Sequence, residues 1–292
     1  MSETVVTPSV LRDWPLPDPY GDKYDKGGML ILGGGAQTPG AVLLAAEAGL
    51  RMGAGKVQVA TVLSTARLVA TAVPESLVVG LPEEEGGDIA PEAAEQVLEL
   101  AGSADVVLAG PGIMRPEVAF GLLERVVPHL DTVLLIDGLG MAYLTENLDG
   151  VQHLAGRALL TPNARELAQT LGREGEARDG GEIRTRAAEL ARKSMAVVLG
   201  GAATSFVARP DGTMWRNEAG APGMAAAGSG DAKAGAIAGL LARGAAPEQA
   251  AVWGAFIHGR AGERLTAAVG RVGFLARELV SELPAALAEI EV

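Results

Sequence analysis

Residues 225–235 read AAAGSGDAKAG: two glycines and a serine lead into a carboxylate, Asp231, and then into an alanine-rich helical run that ends near Gly244. The first turn of a helix presents unpaired N–H groups and the positive end of its dipole. Glycines let phosphate oxygens approach those amides with no side chain in the way. An anion site that carries its own carboxylate implies two jobs. The amides of Gly228, Ser229 and Gly230 face a phosphate, while Asp231 faces an acceptor hydroxyl and takes its proton as oxygen attacks phosphorus. A structural reading competes, in which Asp231 is an ordinary N-cap and the glycines a tight entry; an isolated GSGD does not separate the two. Gly235 and Gly239, one turn apart, are expected to let this helix pack close to a sheet.

Outward from this loop, short apolar runs alternate with longer amphipathic segments. Strands are expected at 29–34, 57–61, 76–80, 105–110, 133–137, 158–162 and 196–200, followed by a hairpin of 205–208 and 213–216 turning through Pro210-Asp211-Gly212. Helices are expected near 40–52, 64–73, 91–101, 116–127, 164–171, 182–194, 230–243, 247–268 and 272–290. Continuous apolar strands alternating with helices predict an α/β fold, a mostly parallel sheet covered on both faces, with the hairpin adding antiparallel edge strands. No composition break marks a second domain, so residues 1–292 read as one. In such folds ligands sit at the carboxyl ends of the strands.

The 292 residues are 48% hydrophobic but only 3% aromatic, so the core rests on Ala, Val and Leu. Cysteine is absent, which excludes thiolate metal sites and cysteine nucleophiles and suits a reducing compartment. His129, His153 and His258 have no zinc-site spacing. A net charge of −12 with no local basic run argues against nucleic acid as a partner. The N-terminus lacks a signal-peptide pattern and no stretch is long enough to span a membrane, so a cytoplasmic protein is expected.

Two further glycine loops follow strands. In LGGGAQTPGAVLLAAEAGLRMGAG (32–55), Gly35 to Gly40 has P-loop spacing, but Ala41-Val42 stands where Lys and Ser or Thr are required, and no GxGxxG opens the helix. What remains is a tight turn, or a place where Gly40 and Ala41 let a ligand approach the backbone. In VVLAGPGI (106–113), Gly110-Pro111-Gly112 ends a buried strand and is a candidate wall of a site.

Taken in order, KGGMLILGGG…PGAVLLAAEAGLRMGAGKVQVAT, AGPGI, LLIDGLG, LLTPNARELAQTLG, VVLGGAATSFVARPDG, GMAAAGSGDAKAGAIAGLLARG and FIHGRAGERL resemble the ADP- or ATP-dependent NAD(P)H-hydrate dehydratases of the ribokinase-like superfamily over nearly the whole chain. The resemblance implies a three-layer sandwich without a lid and an enzyme that phosphorylates the C6 hydroxyl of hydrated NADH or NADPH. Phosphate is then lost and the dinucleotide restored. It implies ADP or ATP as donor, magnesium with the nucleotide, and a homo-oligomer, tetrameric in the family. By position, Gly200, Gly201, Ala202, Ala203, Thr204 and Gly230, with the Gly228-Ser229 amides, would meet the adenine nucleotide. Ala41, Gly112, Asn163 and Asp231 would line the hydrate site, Asp231 as base. No companion segment for epimerising the hydrate is seen, so one epimer, the S form, is the expected substrate.

The chain departs from the family pattern at four places. Asp-Ala-Asp is Asp137-Gly138-Leu139, Thr-Pro-His is Thr161-Pro162-Asn163, Leu-Lys-Gly is Leu199-Gly200-Gly201, and Pro-Gly-x-Gly is Pro111-Gly112-Ile113-Met114. Losing a Lys near a phosphate could weaken donor binding by a few kcal/mol at most. Lys233 could compensate, although a Lys in a first helical turn more often points to solvent. No metal ligands are assigned; Asp137, at a strand end, could meet magnesium through water. His258 reads as a packing histidine, PEEEGGD (82–88) as a solvated loop, and Trp14 and Tyr20 as packing on a neighbour. Besides the dehydratase, two other functions fit: a small-molecule kinase acting on a stable alcohol, and a catalytically weakened nucleotide binder.

Overall fold

The computed structural model describes residues 3–18, 21–23, 26–177, 179–201 and 203–291. Ten strands form one sheet. They are β1 (Glu3–Val5), β2 (Gly28–Leu32), β3 (Lys56–Val62), β4 (Leu77–Leu81), β5 (Val106–Ala109), β6 (Val133–Ile136), β7 (Ala158–Leu160), β8 (Val197–Gly201), β9 (Ser205–Ala208) and β10 (Met214–Asn217). Their spatial order is β1-β10-β9-β8-β7-β6-β5-β2-β3-β4. The strands from β2 to β8 run parallel, and β9 pairs antiparallel with both β8 and β10.

Side chains alternate between the faces, because successive residues of a strand point opposite ways. Met29 and Ile31 of β2 enter one core with Val106, Leu108, Leu135 and Leu159, whereas Leu30 and Leu32 enter the other with Val107, Ala109, Leu134 and Ile136. The first core is closed by α1 (Pro8–Arg12), α2 (Pro39–Arg51), α3 (Leu63–Ala72), α9 (Ser229–Ala242), α10 (Pro247–Ala268) and α11 (Ala276–Glu291). The second is closed by α4 (Ala94–Ala101), α5 (Pro116–Val126), α6 (Ala142–Glu146), α7 (Ala164–Thr170) and α8 (Gly180–Ser194). This is the expected three-layer sandwich.

The chain leaves β2 toward β3 and β4 on one side, then returns to place β5 on the other. The strand order therefore reverses between β2 and β5, and the crevice at their carboxyl ends is the topological switch point where such sheets bind ligands.

Three expectations are corrected. The hairpin does not form the edge of the sheet: β1 pairs parallel with β10 outside it. Trp14 packs on the chain itself, its ring stacked on Trp215 at 5.5 Å between centroids, and its carbonyl accepts from Trp253 Nε1 at 2.9 Å. Tyr20 lies outside the described residues. Finally, Gly235 and Gly239 face α2 rather than the sheet. A Cβ on either would collide with a backbone carbonyl oxygen of α2, that of Ala45 for Gly235 and that of Gly49 for Gly239. Both pairs keep the same offset in residue number, so the two helices lie parallel and Asp231 comes level with Ala41, each in a first turn.

Because backbone carbonyls cannot swing aside as a side chain can, Gly235→Ala is expected to lower stability by about 1–3 kcal/mol despite alanine's better helix propensity. Gly230, whose Cβ would meet nothing within 4 Å, should tolerate Ala within about 0.5 kcal/mol. Urea unfolding of the two variants beside the parent checks the contrast.

Candidate active site

The loops after β2 and β5 are locked together. Gly34 N donates to Pro111 O at 2.7 Å, and the Thr38 hydroxyl donates to Gly112 O at 2.6 Å while accepting from Gly35 N at 3.1 Å. Gly112 has φ +70°, and a Cβ there would stand 2.9 Å from that of Ala41. The structure thus brings together Ala41 and Gly112, both expected at the hydrate site.

The loop 82–88 is tied to the segments after both strands and is not the simply solvated loop expected. Gly87 O accepts from Ala36 N at 2.7 Å. Asp88, 1% exposed, accepts from Met114 N at 2.9 Å and from Arg115 Nε at 3.1 Å. Arg115 also pairs with Glu84 at 2.9 Å. One buried carboxylate therefore fixes the loop after β5, where the sequence shows only an acidic run.

Asp137 follows β6 and is buried. Its Oδ1 accepts from the Thr161 hydroxyl at 2.6 Å. Burial raises its pKa, against the lowering effects of that hydroxyl, the Lys233 charge and the Gly138 amide. Leu139, where the family has a second carboxylate, instead lines a cleft of about 590 Å³ with Phe120, Met141 and Glu166.

Asn163 begins α7 as its N-cap. Its Oδ1 accepts from Arg165 N and Glu166 N, both at 2.9 Å, and Glu166 returns a carboxylate to Asn163 N at 2.9 Å. This is a capping box, and its Asn-x-x-Glu spacing is legible in the sequence. With the oxygen committed, what Asn163 can offer a ligand is its NH₂ group, a donor. Glu166 is raised chiefly by burial.

At α9 the N-cap is Gly228, φ +86°, and no side chain caps this end. A Cβ there would strike Leu44 Cδ1 at 2.5 Å. Ser229 Oγ lies 3.2 Å from His258 Nε2, both buried. Burial, then the Lys233 charge, lowers His258 to about 3, so it is a neutral packing residue as expected. Gly230 is exposed. Asp231 is the third helical residue, not the N-cap, and no described residue hydrogen-bonds its carboxylate. The structural reading of GSGD fails on this point. Burial and then the negative charge of Asp137 push Asp231 up to about 7, the value wanted of a general base at neutral pH.

The expected nucleotide segment is the turn from β8 to β9. A Cβ on Gly200 would point at Leu167 and Ala187, between α7 and α8. Any contact from Gly200 to a ligand is therefore through its backbone. Ala203 is exposed and Thr204 half-buried, while Ala202 lies outside the described residues. No hydrogen bond among the described residues joins this turn to the α9 loop.

Residues 29–285 match the family model described as NAD(P)H-hydrate dehydratase. The chain is 42% identical over 284 residues to the ADP-dependent (S)-NAD(P)H-hydrate dehydratase of Xanthomonas campestris, covering 97% of this chain and 95% of that one. The chain belongs to the NAD(P)H-hydrate dehydratase family.

A second relative, the bifunctional NAD(P)H-hydrate repair enzyme of Moorella thermoacetica, is 33% identical over 277 residues, which are 95% of this chain and 52% of the relative. The family member described here thus spans about half the length of that bifunctional protein. The ADP/ATP-dependent NAD(P)H-hydrate dehydratase of Bacillus subtilis, co-crystallised with ATP and magnesium, superposes with a TM-score of 0.79 at 23% identity, covering 99% of both chains. At that identity the likeness establishes the ribokinase-like fold. Among the described residues no helix is long and apolar enough to cross a membrane.

A raised carboxyl pKa means the ionised form is disfavoured in the fold. The cost of Asp231 grows as pH rises from its ordinary 3.8 through about 7. Asp231→Asn is therefore expected to melt at a higher temperature than the parent at pH 8. The gap should close near pH 4, as followed by thermal unfolding across pH.

Proposed function

We propose that the protein restores NADH and NADPH from their S-epimer hydrates, using ADP or ATP as phosphoryl donor. The observation that carries this is Asp231: a carboxylate poised near neutrality, free of capping duty, level with Ala41 and beside Gly230, where the backbone is open to a phosphate. Asp231 takes the proton of the C6 hydroxyl as its oxygen bonds to the terminal phosphorus of the donor, and the donor's bridging P–O bond breaks. The C6–O bond then breaks with loss of phosphate and of the C5 proton, leaving the ring double bond of the dihydronicotinamide. First-turn amides of α9 hold the phosphoryl oxygens. Ala41 and Gly112 form the small-residue wall against the ring, and Asn163 donates to it through its NH₂ group. The cleft beside Leu139 supplies room for the rest of the dinucleotide. Gly200, Gly201, Ala202, Ala203 and Thr204 meet the adenine nucleotide on the other side.

Among the described residues no group of three acidic or histidine side chains could cage a metal. That suits Mg²⁺, which usually arrives on substrate phosphates and keeps several waters. Asp137, with one oxygen tied to Thr161, would meet its water shell. The ion would neutralise charge on the phosphates. A cytoplasmic protein acting on neither nucleic acid nor membrane, supported by the cysteine-free, acidic composition, and a homo-oligomer, as the family resemblance implies, complete the proposal.

The protein incubated with NADH hydrate, Mg²⁺ and ADP or ATP is expected to regenerate the dihydronicotinamide absorbance only when nucleotide is present. No recovery from a protein that binds nucleotide, together with phosphoryl transfer to a stable alcohol supplied in place of the hydrate, would instead identify a small-molecule kinase. Asp231→Asn should lower kcat by roughly 10²–10⁴-fold while leaving nucleotide affinity within about twofold. Since the base acts ionised, kcat/KM should rise with pH and level off above about 7. A flat profile from pH 5 to 8 would remove Asp231 from the role of base.

A further inference from the structure

Lys233 lies one helical turn beyond Ser229, on the same side of α9. Side chains on a helix lean back toward its N-terminus, so the Lys233 stem runs over Ser229 toward the strand ends. Ser229 is itself fixed against His258 of α10 at 3.2 Å. Lys233 is half-buried, and its charge is felt by Asp137 at the end of β6, by Glu166 of α7 and by His258 of α10. A cation sensed from three elements at once stands in the bowl they enclose rather than out in solvent. Yet it makes no ion pair within 4 Å among the described residues. Glu166 spends an oxygen on the Asn163 amide, and Asp137 spends one on Thr161.

The bowl therefore holds two carboxylates, Asp137 and Glu166, with Asp231 close enough to Asp137 to be raised by it, and an uncommitted ammonium. An incoming phosphoryl group adds further negative charge, which these carboxylates oppose. A compact point charge with three rotatable donors meets that need, and charge-assisted bonds to phosphate are among the stronger polar contacts. We infer that Lys233 is a catalytic residue that binds the phosphoryl group in transit, first as the terminal phosphate of the nucleotide and then as the phosphate leaving the hydrate. This deepens the proposed function and rests on it for the second half of that path. The first half needs only that a nucleotide binds at the strand ends.

AMP, ADP and ATP titrated calorimetrically against the parent, Lys233→Met and Lys233→Arg, with Mg²⁺ present, test the assignment. In the parent, ADP or ATP should bind tighter than AMP. Lys233→Met should weaken the tighter nucleotide by roughly tenfold and leave AMP unchanged, with Lys233→Arg regaining part of the difference. Equal weakening of all three nucleotides, or an unaltered preference over AMP in a Lys233→Met protein that melts within a few degrees of the parent, overturns it. If Lys233→Met does not fold, Lys233→Gln is judged by the same ratio. Binding is read without turnover, so failure here leaves the dehydratase reading standing. Conversely, a parent that binds nucleotides but never restores NADH removes that reading and leaves the ratio interpretable.

Discussion

The close approach of α9 to α2, backbone against backbone, is the constraint from which the site follows. Two parallel helices can touch so closely only where side chains vanish, and Ala45, Gly49, Gly235 and Gly239 supply that gap. Parallel contact at a fixed offset puts both first turns at the same end of the sheet. Asp231 is thereby set across from Ala41, and Ala41 against Gly112. A carboxylate on one segment, a small side chain on a second and a glycine turn on a third come together because a pair of helices has a single seating.

The electrostatics depend on the same seating. Asp231 is half-buried near Asp137, and burial with that like charge holds it near neutrality. Asp137 keeps one oxygen on Thr161 and feels Lys233 from α9. Moving α9 would separate Asp231 from its neighbour and return it toward an ordinary aspartate. Packing between helices and the proton affinity of Asp231 are coupled here through position alone.

The parallel sheet was legible because runs such as MLIL and VLLI are apolar at every residue, which only a strand buried on both faces requires. The GSGD loop was legible as a candidate site, with Asp231 read either as a base or as an N-cap. The structure removes the second reading, because Gly228 takes the left-handed N-cap position and Asp231 falls third in the helix. Asn163 was legible as polar, yet its oxygen is committed to a cap that the Asn-x-x-Glu spacing already announced. Asp88 was hidden in an acidic run because its partners, Met114 and Arg115, lie on another loop. Strand β1 was missed for a similar reason. Glu3-Thr4-Val5 is too short to show a period, and its pairing partner comes more than 200 residues later.

That last pairing also sets an order of events. During synthesis β1 emerges before the other nine strands, and Met214, Trp215 and Arg216, on which it docks, follow more than 200 residues later. The stacking of Trp14 on Trp215 and the ion pair of Glu3 with Arg184 at 2.8 Å must wait as well. Contacts between such distant segments are slow to form. A segment made before every other strand of the sheet is thus among the last installed, and it closes the edge of a sheet whose parallel interior can already have assembled.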